Sequence, residues 1–279
     1  MSHALYAVLG NPVQHSQSPF IHAMFAEATG EPLRYERVLC PLEGFEACVR
    51  NFAASGGRGC NVTVPFKFDA LKLAASASDR ALLAGAANVL RFDDGGWFAD
   101  NTDGIGLVRD IEQHADVVLR GRRVLLIGAG GAAAGVLGPL LDAGVVEVVV
   151  ANRTTAKAKA LVERHFALAS ERSARLSASG LEDCGAAFDI VLNSTAASMQ
   201  GAGVPVADDV LRPGTVAVDL MYGHPAAPFI AWAESCGAIG RDGLGMLVEQ
   251  AAEAFFVWRG VRPDSAPVLQ ALRAKLAAS

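Results

Sequence analysis

The chain has 279 residues, 52% of them hydrophobic, and a formal net charge of -5 with acidic and basic side chains interspersed. These figures suit a globular protein of one large or two modest domains, and they leave no electrostatic footprint for nucleic acid or an anionic membrane surface. Cys40, Cys48, Cys60, Cys184 and Cys236 are odd in number and scattered, without zinc-type spacing, so reduced thiols and no metal are expected.

At the N-terminus Met1-Ser2-His3 brings no cationic leader, and the apolar residues 4–9 stop at Asn11-Pro12, too soon for a signal-peptide core. No other segment approaches an uninterrupted membrane span, and a cytoplasmic protein is expected. Residues 4–9 predict a short buried strand. Ser18-Pro19 then opens a helix, with Ser18 as N-cap and Pro19 in the first turn, and Phe20, Ile21, Met24, Phe25 and Ala28 form its apolar face. A second strand is predicted over 35–39, a helix carrying Phe45, Val49 and Phe52 follows, and a third strand over 59–64 ends at Pro65. Residues 86–92, Asp93-Asp94-Gly95-Gly96 and 97–99 read as a hairpin closing a small, mostly parallel sheet. From Arg122 onward the order becomes strand 124–127, Gly-rich turn, helix, strand 146–151, helix, and strands near 188–192 and 215–220, the succession of a doubly wound nucleotide-binding domain. Residues 244–258 and 266–276 predict two final helices divided by Gly260 and Pro263.

The turn Gly128-Ala129-Gly130-Gly131-Ala132-Ala133-Ala134-Gly135 follows a strand and opens a helix, where backbone N–H groups can carry a pyrophosphate. Small residues let the backbone approach phosphate, and Ala133 takes the third glycine's place in the tolerated form. Plain packing is the competing use of such a turn. About twenty residues on, an NAD site wants a carboxylate for the ribose 2′-hydroxyl. This chain has Ala151-Asn152-Arg153-Thr154 instead, and an arginine fork suits the 2′-phosphate of NADP. Lys157 is either an assistant or an exposed helical lysine.

Three clusters end near strands: Ser16-Gln17-Ser18-Pro19, Asn61-Val62-Thr63-Val64-Pro65-Phe66-Lys67 and Asp100-Asn101-Thr102-Asp103-Gly104. In open α/β sheets such loops converge on the ligand crevice. Lys67 falls in the first turn of a predicted helix, where the macrodipole disfavours a cation, so either a nearby carboxylate equips it for proton transfer or it is a surface lysine. Asp103 and Ser18 have N-capping as an alternative role, while Asn88 is a polar residue in a predicted β segment.

These blocks, with Gly10-Asn11-Pro12 and Asp242-Gly243-Leu244-Gly245-Met246-Leu247, resemble the shikimate dehydrogenase family in order and spacing over nearly the whole chain. The resemblance implies an α/β fold of two domains with a cleft between them. A mostly parallel substrate domain would span 1–103 and be completed by C-terminal helices over 244–279, and a Rossmann-like NADP domain would span 104–243. It implies that Ser16 and Ser18 hold a substrate carboxylate with Tyr222 assisting, and that Thr63, Asn88 and Gln250 surround ring hydroxyls. Lys67 and Asp103 would be the catalytic pair. NADP(H) would lie on Gly128, Ala129, Gly130, Gly131, Ala132, Asn152, Arg153, Thr154, Lys157, Leu220 and Gly243. The partners implied are a small-molecule substrate, 3-dehydroshikimate or shikimate, and at most a second copy of the chain.

The chain departs from the family's pattern at Val89, where the family usually has Thr after Asn88, at Ala196, where a hydroxyl is usual, and at Ala134, where a basic residue is common. Quinate as substrate, broader cofactor use, or a non-catalytic NADP-binding sensor are the competing readings. A folate-type methylene dehydrogenase would not need the paired serines. The histidines form no metal-like group.

Overall fold

The computed structural model describes residues 3–195 and 204–278. Met1, Ser2 and Ala196, to which the sequence drew attention, lie outside the described residues. The chain forms two compact units, Met1–Gly106 with Leu247–Ser279, and Leu107–Met246. Among the described residues no helix is long and apolar enough to cross a membrane.

The first unit is built on a six-stranded sheet of order β2-β1-β3-β5-β6-β4. Its strands are β1 (Ala4–Gly10), β2 (Leu33–Leu39), β3 (Gly57–Val62), β4 (Ser76–Ala77), β5 (Val89–Arg91) and β6 (Phe98–Asp100). β1 pairs in parallel with β2 and β3, as does β4 with β6, while β5 runs antiparallel to β3 and β6. Alternation along β1 directs Ala7 and Leu9 to one face and Tyr6 and Val8 to the other. On the first face they pack against Phe45, Val49 and Phe52 of α2 (Phe45–Ala54) and Ala70 of α3 (Lys67–Lys72). On the second, Tyr6 stacks on Trp258 of α9 (Leu244–Arg259) at 4.6 Å. The remaining helices of this unit are α1 (Ser18–Thr29), α4 (Asp79–Ala84) and α10 (Ala266–Ala277). Gly59 of β3 has no alternative there, because a Cβ would lie 2.6 Å from Leu90 O and 2.8 Å from Trp258 Nε1. That indole N–H donates to Leu90 O at 3.0 Å.

The second unit carries a six-stranded, wholly parallel sheet of order β12-β11-β10-β7-β8-β9. In chain order these are β7 (Arg123–Ile127), β8 (Glu147–Ala151), β9 (Arg175–Ser179), β10 (Ile190–Asn193), β11 (Val216–Asp219) and β12 (Ile239–Arg241). The order reverses between β7 and β10, as in the doubly wound dinucleotide folds. The central strands are continuous apolar runs, as strands buried on both faces require. α6 (Gly131–Asp142) and α7 (Thr155–Glu171) follow β7 and β8, and α8 (Ala227–Ser235) packs Phe229 and Ala233 into the core of Leu125, Val149, Val191 and Ala217. The chain passes between the units within α5 (Asp103–Arg109) and returns within α9.

Two expectations are corrected. Cys40 and Cys48 are paired as a disulfide, leaving Cys60, Cys184 and Cys236 as thiols. The turn after β2 doubles back and lays the start of α2 against Cys40, a proximity that a separation of 8 residues does not announce. Ser18 is not the N-cap of α1. Gln17 holds that position without a side-chain bond, and Ser18 is the first helical residue.

Candidate active site

β3 ends in a loop that brings Lys67 to the first position of α3, and the loop after β6 delivers Asp103 to the first position of α5. Lys67 Nζ donates to Asp103 Oδ2 at 2.5 Å, with the two side chains 14% and 6% exposed. The carboxylate that the misplaced lysine called for is therefore present, 36 residues along the chain. Asp103 is the first helical residue of α5 rather than the residue before it, and its other oxygen accepts from Asn88 Nδ2 at 2.8 Å. Asn88 stands just before β5 and is buried. Its Nδ2 also reaches Thr102 Oγ1 at 3.0 Å and Gln250 Oε1 at 3.1 Å, while its Oδ1 accepts from the Thr102 N–H at 2.8 Å. Gln250 is anchored by its own Nε2 to Leu247 O. Lys67, Asp103, Asn88, Thr102 and Gln250 thus form one polar cluster; Thr102 stands in the block 100–104 of the sequence, which assigns it no role of its own.

Behind that cluster lies charge of which the sequence gives no sign. Asp100 accepts from Ser78, from Arg80 twice and from the Asn101 N–H. Arg80 also reaches Glu253, which pairs with Arg262, and Arg262 pairs with Glu249. Buried carboxylates persist only when so matched.

Thr63 is half-buried and uses its N–H on Leu9 O, and its hydroxyl makes no bond among the described residues. A Cβ on Gly10 would lie 2.2 Å from Thr63 Cγ2, so glycine is what admits the threonine there. Ser16 Oγ donates to Ser18 Oγ at 3.1 Å and accepts from the Ser18 N–H at 3.2 Å, pairing the two hydroxyls. Ser18 also faces the phenol of Tyr35, whose proton goes to Asn61 Oδ1 at 2.7 Å and whose pKa burial pushes up. One helical turn on, His22 is fully buried, stacked on Tyr35 at 4.3 Å and flanked by Phe25, Phe255 and Trp258. Burial lowers its pKa to about 3, offset a little by the neighbouring Asn61, although neither ring nitrogen reaches a partner with hydrogen-bond geometry.

In the second unit, Gly128 follows β7 with φ +109, and a Cβ there would strike Ser194 Oγ at 2.4 Å. Gly130 is the N-cap of α6, with no side-chain cap and nothing within 4 Å of its would-be Cβ. Ala129 precedes it, and Gly131 and Ala132 form the first turn of α6, so the N–H groups there are screened only by small side chains. Ala134 is buried in that helix. At the end of β8, Asn152 Nδ2 donates to Thr154 O, and Arg153, Thr154 and Lys157 include no carboxylate among them; Arg153 and Lys157 are exposed. Leu220 and Gly243 come together, since a Cβ on Gly243 would lie 2.5 Å from Leu220 O. Tyr222 is half-buried in the turn after β11. A helix start without a side-chain cap, a turn of small residues and an acid-free, basic second-strand terminus fit a dinucleotide bearing a 2′-phosphate.

Known proteins resemble this chain along its length. Residues 8–90 match the family model of the shikimate dehydrogenase substrate binding domain, 110–214 that of shikimate / quinate 5-dehydrogenase, and 243–273 that of the shikimate 5′-dehydrogenase C-terminal domain. A shikimate dehydrogenase (NADP(+)) from Methylibium petroleiphilum is 62% identical over 275 residues, covering 96% of this chain and 94% of that protein. The crystal structure of an Ael1 enzyme from Pseudomonas putida superimposes with a TM-score of 0.84 at 47% identity, covering 96% of this chain and 98% of that one. A shikimate 5-dehydrogenase from Thermus thermophilus, solved with NADP(H) and shikimate, gives a TM-score of 0.80 at 31% identity, over 97% and 99% of the two chains.

Proposed function

The chain belongs to the shikimate dehydrogenase family, and from that membership we propose that it interconverts 3-dehydroshikimate and shikimate with NADP(H) as redox partner. The observation that carries the chemistry is the ion pair of Lys67 with Asp103, held by Asn88 and shielded from solvent. Bound NADP(H) would supply the hydride chemistry at the substrate's ring carbon. Lys67 Nζ then supplies the proton to the carbonyl oxygen in the reducing direction and accepts it in the oxidising one. Asp103 Oδ2 orients that nitrogen and holds the alcohol, while Oδ1 is kept in place by Asn88. Asn88, Gln250 and Thr63 would bind ring hydroxyls, and Ser16, Ser18 and Tyr222 the carboxylate.

The Gly128 turn and the start of α6 would take the pyrophosphate, with Arg153, Asn152, Thr154 and Lys157 on the 2′-phosphate and Leu220 and Gly243 beside the nicotinamide. The substrate part would comprise 1–103 with 244–279, and the cofactor part 104–243. A cytoplasmic monomer or homodimer acting on a small molecule completes the proposal.

Initial rates of shikimate and quinate oxidation with NADP and NAD, followed by nicotinamide absorbance, test it. NADP with shikimate is expected to exceed the other three combinations by a wide margin. Equal rates with NAD would refute the role given to Arg153, and no turnover of shikimate would refute the function.

A further inference from the structure

An anionic substrate approaching a chain of net charge -5 needs a local cation, and the residues assigned to its carboxylate offer none. Ser16 and Ser18 are neutral hydroxyls, Tyr35 beside them is a neutral phenol, and the charge of Lys67 is engaged by Asp103. Hydrogen bonds from neutral donors to a carboxylate lack the Coulombic attraction that a cationic partner adds.

A guanidinium sits at this loop. Along β2 side chains alternate, so Tyr35 and Arg37 share the face on which Tyr35 stacks against His22 of α1, while Arg34 and Glu36 share the other and pair with each other at 2.9 Å. Arg37 Nε and Nη2 donate to the carbonyl oxygen of Ser16 at 2.9 and 2.6 Å. Among the described residues Arg37 pairs with no carboxylate, so its charge is left uncompensated beside the serine loop. A second cation approaches the same segment from α10, where Lys275 Nζ donates to Gln17 Oε1 at 3.0 Å and lies 4.4 Å from the ring centre of Phe20. A carbonyl can be clamped by any N–H donor; a cation without a counter-ion is what a carboxylate requires.

We propose that Arg37 is the counter-charge for the substrate carboxylate, clamped to the Ser16 carbonyl so that its field falls on the serine hydroxyls and sets the preference for an anionic substrate. The proposal rests on the assignment of Ser16 and Ser18 to the carboxylate. Its test uses Arg37→Gln, Arg37→Lys and Arg37→Glu in the full chain, with kcat and KM for shikimate at low and high salt, and the inhibition constant of shikimate methyl ester, which lacks the charge.

Removing the charge in Arg37→Gln should raise KM for shikimate about fivefold at low salt with kcat near the unaltered value, an effect that fades at high salt. Arg37→Glu should raise it further and Arg37→Lys much less. The ester should bind all four proteins alike. A loss in Arg37→Gln that is equal for acid and ester, or a ranking that ignores charge, would reduce Arg37 to a clamp and overturn the proposal, as would an unchanged KM in every variant. Failure of the unaltered enzyme to oxidise shikimate would overturn the proposed function and this role with it, whereas normal oxidation with charge-independent KM would overturn this role alone.

Discussion

Lowering the pH from 7 to 5 should cost this protein stability through His22. In the unfolded chain the imidazole titrates near its ordinary 6.5, while in the fold burial lowers it to about 3, so it stays neutral. A lowered folded-state pKa means that the unfolded chain takes up the proton first. The stability conferred by the neutral ring is thus complete above about pH 6.5 and is lost as the pH falls toward 3. Between pH 7 and 5 the loss amounts to about 2 kcal/mol, and below pH 3 it levels off at roughly 5 kcal/mol. The groups packed round the ring are Tyr35 from β2, Phe25 from α1, Phe255 and Trp258 from α9, and the Asn61 amide from β3, so no neighbouring charge offsets the proton. His22→Phe keeps a ring in the stack and removes the titration. Urea unfolding of both proteins at pH 7 and pH 5 isolates the term, because acid effects elsewhere cancel in the difference. The original protein should lose about 2 kcal/mol more than the variant over that interval. Equal losses would mean that His22 is protonated, or reached by water, in the fold.

Lys67→Ala should lower kcat by roughly a hundredfold or more while changing KM for shikimate little, as expected for a group that moves a proton in the transition state. A near-original rate in a steady-state assay would remove Lys67 from the chemistry. Gly59→Ala forces a methyl into Leu90 O and the Trp258 indole and should cost about 1–3 kcal/mol, read as a lower thermal midpoint, with loss of the indole bond visible in tryptophan fluorescence. An unchanged midpoint would show that α9 yields easily.

Long apolar strands and amphipathic helices were legible because burial on both faces of a parallel sheet leaves a compositional mark, as in β7 and β8. β4, β9 and β12 escaped notice, since they are short or edge strands with mixed polar sequences such as Arg-Leu-Ser-Ala-Ser. The site was legible through local rules that its residues break: a lysine at a helix start and an asparagine entering a strand. What periodicity cannot supply is the partner. Asn88 meets Gln250 across 162 residues and Arg80 meets Glu253 across 173, and only the family's pattern linked the first of these pairs. Arg37 gave no sign, because its role depends on which face of β2 looks toward α1.

The amide of Asn88 has a consequence for ligand choice. It owns two hydrogens, yet three oxygens surround its nitrogen, those of Thr102, Asp103 and Gln250. Thr102 makes up the difference, because its hydroxyl also donates, to Asn88 Oδ1 at 3.2 Å or Gln250 Oε1 at 3.4 Å. The two amide hydrogens can then serve Asp103 and Gln250, and the direction of the threonine proton is tied to theirs. A ligand bearing hydroxyl groups therefore meets hydrogens that are already assigned, and it is received by re-pointing them rather than by filling a gap.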